Sequence, residues 1–530
     1  MHSLSSTRLI IAVSAFLVLF GNFAFFSNVT DAYPVGIKNL GFLLSLAVLS
    51  ACITSILLAL SCYRYTIKPV LITILVASSV TGYFMDTYNV VIDDAMIDNI
   101  MATNPAEASD LLSFRLALYL LLLGILPSVL VYKTTIDYGR LRPAITSRLV
   151  LIATALALAT ASVLVFSNFY ASFFREHKPL RYYANPAYYI YSTAKYAASF
   201  VTLAPREFTA IAQDARIPAS DEHRELVILV VGETARADHF SLNGYPRETN
   251  PYLKNKNVIS FTNFWACGTS TAHSLPCLFS IYGHSQFDKN KADSTGNALD
   301  VLQQSGVNVL WLDNNSDSKG VALRVPFEDY RKPEKNPVCD PECRDEGMLA
   351  NLQAYIDGHP TGDIFIVLHQ MGNHGPDYYK RYPAKFEVFK PTCKTNQLED
   401  CTSEEISNAY DNAILYTDYF LAKTIDILEH NNDRFEPALI YVSDHGESLG
   451  ENGIYLHGLP YMIAPDNQKH VPVIMWLGDS MLHEINLDAL KKSRHQRFTH
   501  DNIFHTILGL MEVHTTAYDS TKDLIEHSHD

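Results

Sequence analysis

The 530-residue chain predicts a multidomain protein. Five transmembrane helices are expected in residues 1–166, a connecting segment in 167–220, and an exported α/β domain with a mostly parallel sheet in 221–530. Three observations predict this. Long apolar windows crowd the first third, basic residues sit in alternate loops between them, and the remainder repeats short β-branched runs followed by helical stretches. Hydrophobic residues make up 48% of the chain and charged residues 18%, less charge than a soluble protein usually carries. A formal net charge of −15 does not favour a nucleic-acid partner. No internal repeat or low-complexity tract is evident.

The apolar windows run roughly over residues 9–26, 40–62, 69–84, 111–132 and 150–166, each close to the ~20 residues that cross a bilayer as a helix. Ser78, Ser79 and Gly82 interrupt the third. Any one window also fits a buried core helix, but five in series with almost no soluble sequence between them do not. The first also suits a signal peptide; it lacks a small-residue cleavage site, so a retained helix is expected. Arg8 precedes the first window, Arg64 and Lys68 follow the second, and Lys133, Arg140, Arg142 and Arg148 follow the fourth. The loop 85–110 carries Asp86, Asp93, Asp94, Asp98, Glu107 and Asp110 and no Lys or Arg. Basic loops stay in the cytoplasm, so everything after Phe166 lies outside it.

The cysteines are an independent check. Cys52 and Cys62 belong to the second window and read as apolar residues. The other six fall in close pairs, Cys267 with Cys277, Cys339 with Cys343, and Cys393 with Cys401. In an exported domain such pairs read as disulfides. A structural zinc site is the alternative, but no Cys-x-x-Cys occurs, and pairing of neighbours is the expectation. The connecting segment is rich in Tyr and Phe, from Phe169 and Tyr170 to Tyr196, with Arg175, Lys178 and Arg181 between them. That composition suits a membrane interface; the plainer reading is a linker whose rings pack on the soluble domain.

From residue 222, strands are expected at 226–231, 307–312, 364–368, 439–442 and 471–477, with helices between them, for example 298–305 and 403–430. Short apolar strands alternating with helices indicate a sheet covered on both faces. In such sheets, sites gather beyond the carboxyl ends of the strands. Glu233, Asn314, His369 and Asp444 all fall at that edge.

Two strand-end stretches carry the chemistry, Gly232-Glu-Thr-Ala-Arg-Ala-Asp-His239 and Ser443-Asp-His-Gly-Glu-Ser-Leu-Gly-Glu-Asn-Gly453. Glu233, Asp444 and His445 offer the carboxylate and imidazole ligands that Zn²⁺ takes. A lone Asp-His pair is usually a surface or capping feature; one that directly follows a buried strand, and is matched by Glu233 after another, is more specific. Between them lies Cys267-Gly-Thr-Ser-Thr-Ala272. Thr271 falls at an expected helix N-terminus, where backbone N–H groups favour an anion. Its hydroxyl is a candidate nucleophile, with Ser270 and Thr269 as competitors and helix capping as the plain alternative. His369 and His374 share a glycine-containing loop, and His457 closes the second stretch. They suit a second metal, phosphoryl contacts, or acid–base work. Lys319 offers a cation to the same anion; taken alone it is a solvated lysine.

Together with His369-Gln-Met-Gly-Asn-His-Gly-Pro376, these motifs make the whole chain resemble the membrane-bound phosphoethanolamine transferases. These belong to the alkaline phosphatase–sulfatase superfamily and include the lipid A-modifying and mobile colistin-resistance enzymes. The resemblance implies a periplasmic sulfatase/alkaline-phosphatase-like domain on a bacterial inner-membrane anchor. It implies Glu233, Asp444 and His445 as zinc ligands, and Thr271 as nucleophile and fourth ligand. It implies His374 and His457 at the phosphoryl group or at further zinc. Asn315, Lys319 and Thr269 match positions that hold the phosphoethanolamine, with His369 beside them. His273 stands where many relatives carry an aromatic residue. The implied reaction moves phosphoethanolamine from phosphatidylethanolamine, through a threonine-bound intermediate, to lipid A, by a protein expected to be monomeric. The acidic loop 85–110 would face the donor's ammonium group, or be merely solvated. Rival readings are transfer to Kdo, heptose or a periplasmic glucan, a membrane phosphatase or glycerol-phosphate transferase of the same superfamily, and a non-enzymatic membrane scaffold.

Overall fold

The computed structural model describes residues 3–103, 105–202, 207–218, 223–340, 342–483 and 485–526. It forms two compact units, one of Met1–Ile97 with Leu112–Thr202, the other of Asp98–Leu111 with Leu203–Asp530. The expected boundary at residues 220 and 221 lies outside the described residues.

In the first unit, four helices among the described residues are long and apolar enough to cross a membrane: Ile37–Ser61, Ile67–Tyr88, Phe114–Lys133 and Arg142–Val165. A bent pair, Ser6–Phe20 and Phe23–Ala32, with 56° between the two halves, brings the number to five when it is counted as one broken span. The first expected window runs straight across that bend. Its cause is local. Gly21 ends the first half, and the Asn22 side chain donates to Leu17 O at 2.9 Å and to Asn185 O at 2.6 Å. Asn185 answers with its own amide to Gly21 O and Ser78 O, both at 2.9 Å, so the backbone groups freed at the break are satisfied inside the protein. Ser78 and Gly82, which weaken the third window in sequence, are buried there, and the helix extends past both expected ends. The fourth span widens to a π-helical turn at Leu120–Ile125, just before Pro127, which has no N–H to donate.

The connecting segment folds as helices Ser167–Glu176 and Ala187–Thr202 within this unit. Tyr170 and Phe173 are buried against Phe42, with ring centroids 5.3 and 6.1 Å away, whereas Phe174 and Tyr191 stay exposed.

The second unit is built on an eight-stranded sheet. Its strands are β1 Glu225–Gly232, β2 Ile259–Trp265, β3 Asn308–Asp313, β4 Phe327–Asp329, β5 Ile364–His369, β6 Glu436–Ser443, β7 His470–Leu477 and β8 Phe498–Thr499. Their spatial order is β8-β2-β7-β6-β1-β5-β3-β4. Pairing is parallel except on the two sides of β7, which runs against both β6 and β2. The sheet is thus mostly parallel, as the sequence predicts. Short or partly polar β2, β4 and β8 give no clear strand signal, and nothing in an apolar run such as 471–477 tells its direction.

Side chains of β1 alternate between two cores. Val227, Leu229 and Val231 pack with Leu275, Leu299 and Phe504 on one face, while Leu226, Ile228 and Val230 pack with Tyr410, Ile414 and Ile425 on the other. Both faces are covered, so the strand carries no polar side and reads as a continuous apolar run. The second face is covered by helix α1, Ser403–Glu429, which starts at a Thr402/Glu405 capping box. Helix α2, Ile503–Leu510, is buried throughout on the other. The central strands β3, β5, β1 and β6 end in register, with Asp313 opposite His369, Val231 opposite His369, and Gly232 opposite Ser443. That register gathers the residues following four separate strands at one edge.

Candidate active site

Glu233 follows β1 directly, and Asp444 and His445 follow β6. All three are fully buried, and their ligand atoms lie within 4.8 Å of one another, a grouping able to hold a metal ion. His445 Nε2 lies 3.4 Å from Glu233 Oε1 and 3.4 Å from Asp444 Oδ2. Those gaps are too long for strong charge-assisted hydrogen bonds. Asp444 Oδ2 is buried and has no hydrogen-bond partner among the described residues, which costs free energy unless another group meets it. The other ring nitrogen, His445 Nδ1, faces Gly446 O at 2.9 Å. That contact fixes the tautomer and aims the Nε2 lone pair into the cluster, the usual support of a metal-binding imidazole. Buried carboxylates plus imidazole, converging without bonding each other tightly, fit Zn²⁺.

Outer contacts hold this cradle. Glu233 accepts from Thr234 Oγ1 at 2.8 Å and from Asn315 Nδ2 at 2.8 Å. Asp444 Oδ1 accepts from the backbone of Thr234 at 3.2 Å and of His445 at 2.7 Å. Thr234 has φ +58°, a left-handed conformation rare for a β-branched residue; its carbonyl is held by Tyr410 Oη at 2.6 Å. Strain of this kind persists where surrounding contacts over-determine it. Burial and the neighbouring Glu233 push the Asp444 carboxyl up, whereas Glu233, also desolvated, is held low by the surrounding imidazoles of His445, His374 and His457.

Thr271 is the first residue of helix α3, Thr271–Leu278, whose preceding residue Ser270 is extended. Its Oγ1 lies 3.1 Å from Glu233 Oε2 and 3.3 Å from His445 Nε2. It is therefore the hydroxyl brought to the cluster. Thr269 instead donates to Leu459 O at 2.7 Å and, through its own carbonyl, receives Gly458 N at 2.7 Å. A Cys267–Cys277 disulfide closes the turn around them. Two further disulfides join Cys339 to Cys343 and Cys393 to Cys401, while Cys52 and Cys62 are buried thiols.

The histidines divide. The His457 ring lies 4.3 Å from His445 and 5.9 Å from His374 between centroids, so these two sit beside the cluster. Burial first, then the nearby His445, lowers His457 to about 3. His369 is tied elsewhere: its Nδ1 faces Asp313 Oδ2 at 2.8 Å and its ring meets Trp311 edge-on. His273 packs edge-on against Phe287, and burial lowers it to about 4. Asn315 spends its amide on Glu233 and on Gln370 O. Lys319 donates to Ser316 O at 3.0 Å and lines a cleft with Pro276, Ser280, Asp293 and Arg324.

Four side chains that the sequence did not single out shape the site. Asp313 orients His369. Glu447, fully buried, faces His457 Nδ1 at 3.2 Å and is pushed well above its ordinary value by burial. Asp345 receives the backbone N–H groups of Met371 and Gly372. His500 accepts from Cys267 N at 3.2 Å and faces Ser443 O at 3.0 Å, joining the Thr271 turn to the Asp444 loop. Asp313 closes a strand read one residue short, and Glu447 stood inside a quoted motif. Asp345 and His500 carry no local signal.

The fold and the cluster define a membrane-anchored enzyme with a sulfatase-like catalytic domain. Family comparison agrees: residues 225–513 match the sulfatase family, and residues 50–200 match the family described as phosphoethanolamine transferase EptA/EptB. The chain is 44% identical to phosphatidylethanolamine transferase Mcr-1 of Escherichia coli, over 98% of its own length and 97% of the relative's. It is 39% identical to phosphoethanolamine transferase EptA of Escherichia coli K12, over 95% and 94%. The integral membrane lipooligosaccharide phosphoethanolamine transferase A of Neisseria meningitidis superposes with a TM-score of 0.95 at 34% identity, covering 99% of each chain. The chain belongs to the EptA/Mcr family of phosphoethanolamine transferases. It is a multi-pass enzyme of the bacterial inner membrane with its sulfatase-like domain in the periplasm.

Proposed function

We propose that this enzyme transfers phosphoethanolamine from phosphatidylethanolamine to lipid A, with Thr271 as the nucleophile. The observation that carries this reading is the position of Thr271 Oγ1, at a helix N-terminus and 3.1 and 3.3 Å from two of the metal-ligand candidates. Zinc held by Glu233, Asp444 and His445 supplies a Lewis acid that favours the alkoxide of a neighbouring hydroxyl.

Thr271 Oγ1 attacks the phosphorus of the donor as its proton passes to a neighbouring imidazole, the bond from phosphorus to the glycerol oxygen breaks, and diacylglycerol leaves with that proton. His374 and His457, the latter held neutral by burial, are the groups beside the cluster that would take that proton and pass it on, or hold the phosphoryl oxygens. Phosphoethanolamine stays on Thr271 as a phosphodiester. A phosphate oxygen of lipid A then attacks phosphorus, and Thr271 Oγ1 departs and is reprotonated. Asn315 supports Glu233 throughout, and the Cys267–Cys277 bridge keeps the turn in place. The acceptor rests on relatives whose names specify lipooligosaccharide and Kdo(2)-lipid A. Polymyxin resistance is the expected phenotype.

Mass spectrometry of lipid A from cells expressing the chain tests the proposal. One added phosphoethanolamine, absent with Thr271→Ala, is expected. Addition to core sugars or glucans alone would move the acceptor, and water as sole acceptor would overturn transfer.

A further inference from the structure

We propose that Asp110 is a positioning residue for the transfer reaction, acting through the buried guanidinium of Arg381 on the loop that presents His374. The inference rests on the reading that His374 serves the reaction.

Residues 98–111 stand in sequence between the third and fourth spans, yet they belong to the catalytic unit. They carry Asp98, Glu107 and Asp110, three of the six acidic residues of the loop 85–110 expected from sequence to face an ammonium group or be merely solvated. Two of these are engaged within the unit: Asp98 pairs with Lys289, and Asp110 holds two cations at once. Asp110 Oδ1 receives Lys380 Nζ at 2.8 Å, Oδ2 receives Arg381 at 2.8 Å, and the Asp110 carbonyl receives Asn396 at 2.7 Å.

Arg381 is the informative partner, because its side chain is 2% exposed and all three arms of its fork are used. One terminal nitrogen meets Asp110, the other meets Glu342 Oε2 at 2.7 Å, and Nε donates to the carbonyl of His374 at 2.7 Å. The loop from Gln370 is pinned on its other side. Gln370 N and Asn373 N donate to Val231 O and Glu233 O, both at 3.0 Å, and Asp345 takes Met371 N and Gly372 N. Gly372 has φ +50° and sits so close that a Cβ would lie 2.9 Å from Glu233 O. One end of the loop is thus locked to the backbone that carries Glu233, and the end that carries His374 is locked by Arg381. A guanidinium this buried needs its charge met, and removing one of its two carboxylates leaves it free to re-aim. The carbonyl it holds belongs to the residue whose ring lies 5.9 Å from that of His457, beside the cluster.

The test uses the full-length enzyme in vesicles containing headgroup-labelled phosphatidylethanolamine, with kcat, KM and melting temperature measured for three variants. Asp110→Asn weakens the ion pair. Arg381→Lys keeps a cation for Asp110 and Glu342 but removes the Nε donor to His374. Asp98→Asn loosens the same segment without touching Arg381. Asp110→Asn and Arg381→Lys are each expected to lower kcat about tenfold, as a small misplacement near the chemistry does, with KM held; Asp110→Asn, which leaves a buried cation short of one carboxylate, also lowers the melting temperature, whereas Arg381→Lys, which keeps a cation there, holds it. Asp98→Asn is expected to leave all three unchanged. If Asp110→Asn does not fold, Arg381→Lys decides alone. Wild-type kcat in Arg381→Lys, or an equal loss in Asp98→Asn, overturns the inference. A fully active His374→Ala overturns the reading of His374 instead, a separate outcome from an inactive His374→Ala beside an unaffected Arg381→Lys.

Discussion

Two carboxylate–imidazole groups sit at neighbouring strand ends, and they are built oppositely. At the ends of β1 and β6, His445 Nε2 stands 3.4 Å from each of two carboxylates, and Asp444 Oδ2 has no hydrogen-bond partner among the described residues. At the ends of β3 and β5, His369 Nδ1 is 2.8 Å from Asp313 Oδ2, which also takes Trp311 Nε1 at 2.9 Å. Asp313 Oδ1 takes the backbone N–H groups of Asn315 and Asp317 at 3.0 and 3.2 Å. Residue types and burial are the same in both. The first group leaves its ligand atoms apart around a shared point, whereas the second pairs tightly through Nδ1 and leaves only the far nitrogen, His369 Nε2, buried without a hydrogen-bond partner among the described residues. Separation between partners, not composition, distinguishes a cradle for an ion from an ion pair that holds a loop.

The largest expected effect breaks the open group's chemistry. Thr271→Ala should lower turnover of phosphatidylethanolamine by about 10³-fold or more, as loss of a nucleophile does, while zinc content and circular dichroism stay at wild-type level. Residual activity near wild type would return the nucleophile's role to Ser270 or Thr269.

The next separates the two groups by metal. Zinc titrated into chelator-treated enzyme should raise its melting temperature, with about 2.7 kcal/mol of stabilisation at a hundredfold excess over Kd. Asp444→Asn should lose that shift, and Asp313→Asn should keep it. Equal loss in both would place the ion between the groups instead.

Asp313→Asn should act on stability. Removing one partner of a buried pair costs about 3–5 kcal/mol, which a urea midpoint would show with zinc still bound.

The smallest effect is a pH window. The pairing with Asp313 outweighs burial and raises His369 above its ordinary value. A raised histidine binds its proton more tightly in the folded state, so its contribution is complete below the unfolded value near 6.5 and fades as pH rises through the folded one. The stability difference between wild type and His369→Phe should therefore shrink above pH 6.5, at no more than about 1.4 kcal/mol per pH unit. A difference that grows with pH would contradict the closed pair.

The sequence made the open group legible because each ligand interrupts an apolar run at its last step. Val230-Val-Gly-Glu233 and Tyr441-Val-Ser-Asp444 both end a strand buried on two faces, where a carboxylate has no structural excuse. The parallel sheet was legible for the same reason. What stayed hidden depends on partners far along the chain. His500 reaches Cys267 across 233 residues, and Asp110 reaches Arg381 across 271. No local pattern marks either. The bend in the first span was also invisible as such, because Gly21 and Asn22 break the helix only with Asn185 present to take up the freed groups.

The three disulfides span sequence separations of 10, 4 and 8 residues. Bridges that short can close as soon as their own segment emerges on the oxidising side of the membrane, before β5, β6 and β7 have found their places. Closing a loop of about ten residues removes roughly 3 kcal/mol of chain freedom from the unfolded state. The turn bearing Thr271 can thus be stapled early in maturation, while a copy retained among cytoplasmic thiols would lack the staple. The compartment then acts as a licence, leaving the hydroxyl proposed as nucleophile properly set only on the side of the membrane where the bridge can form.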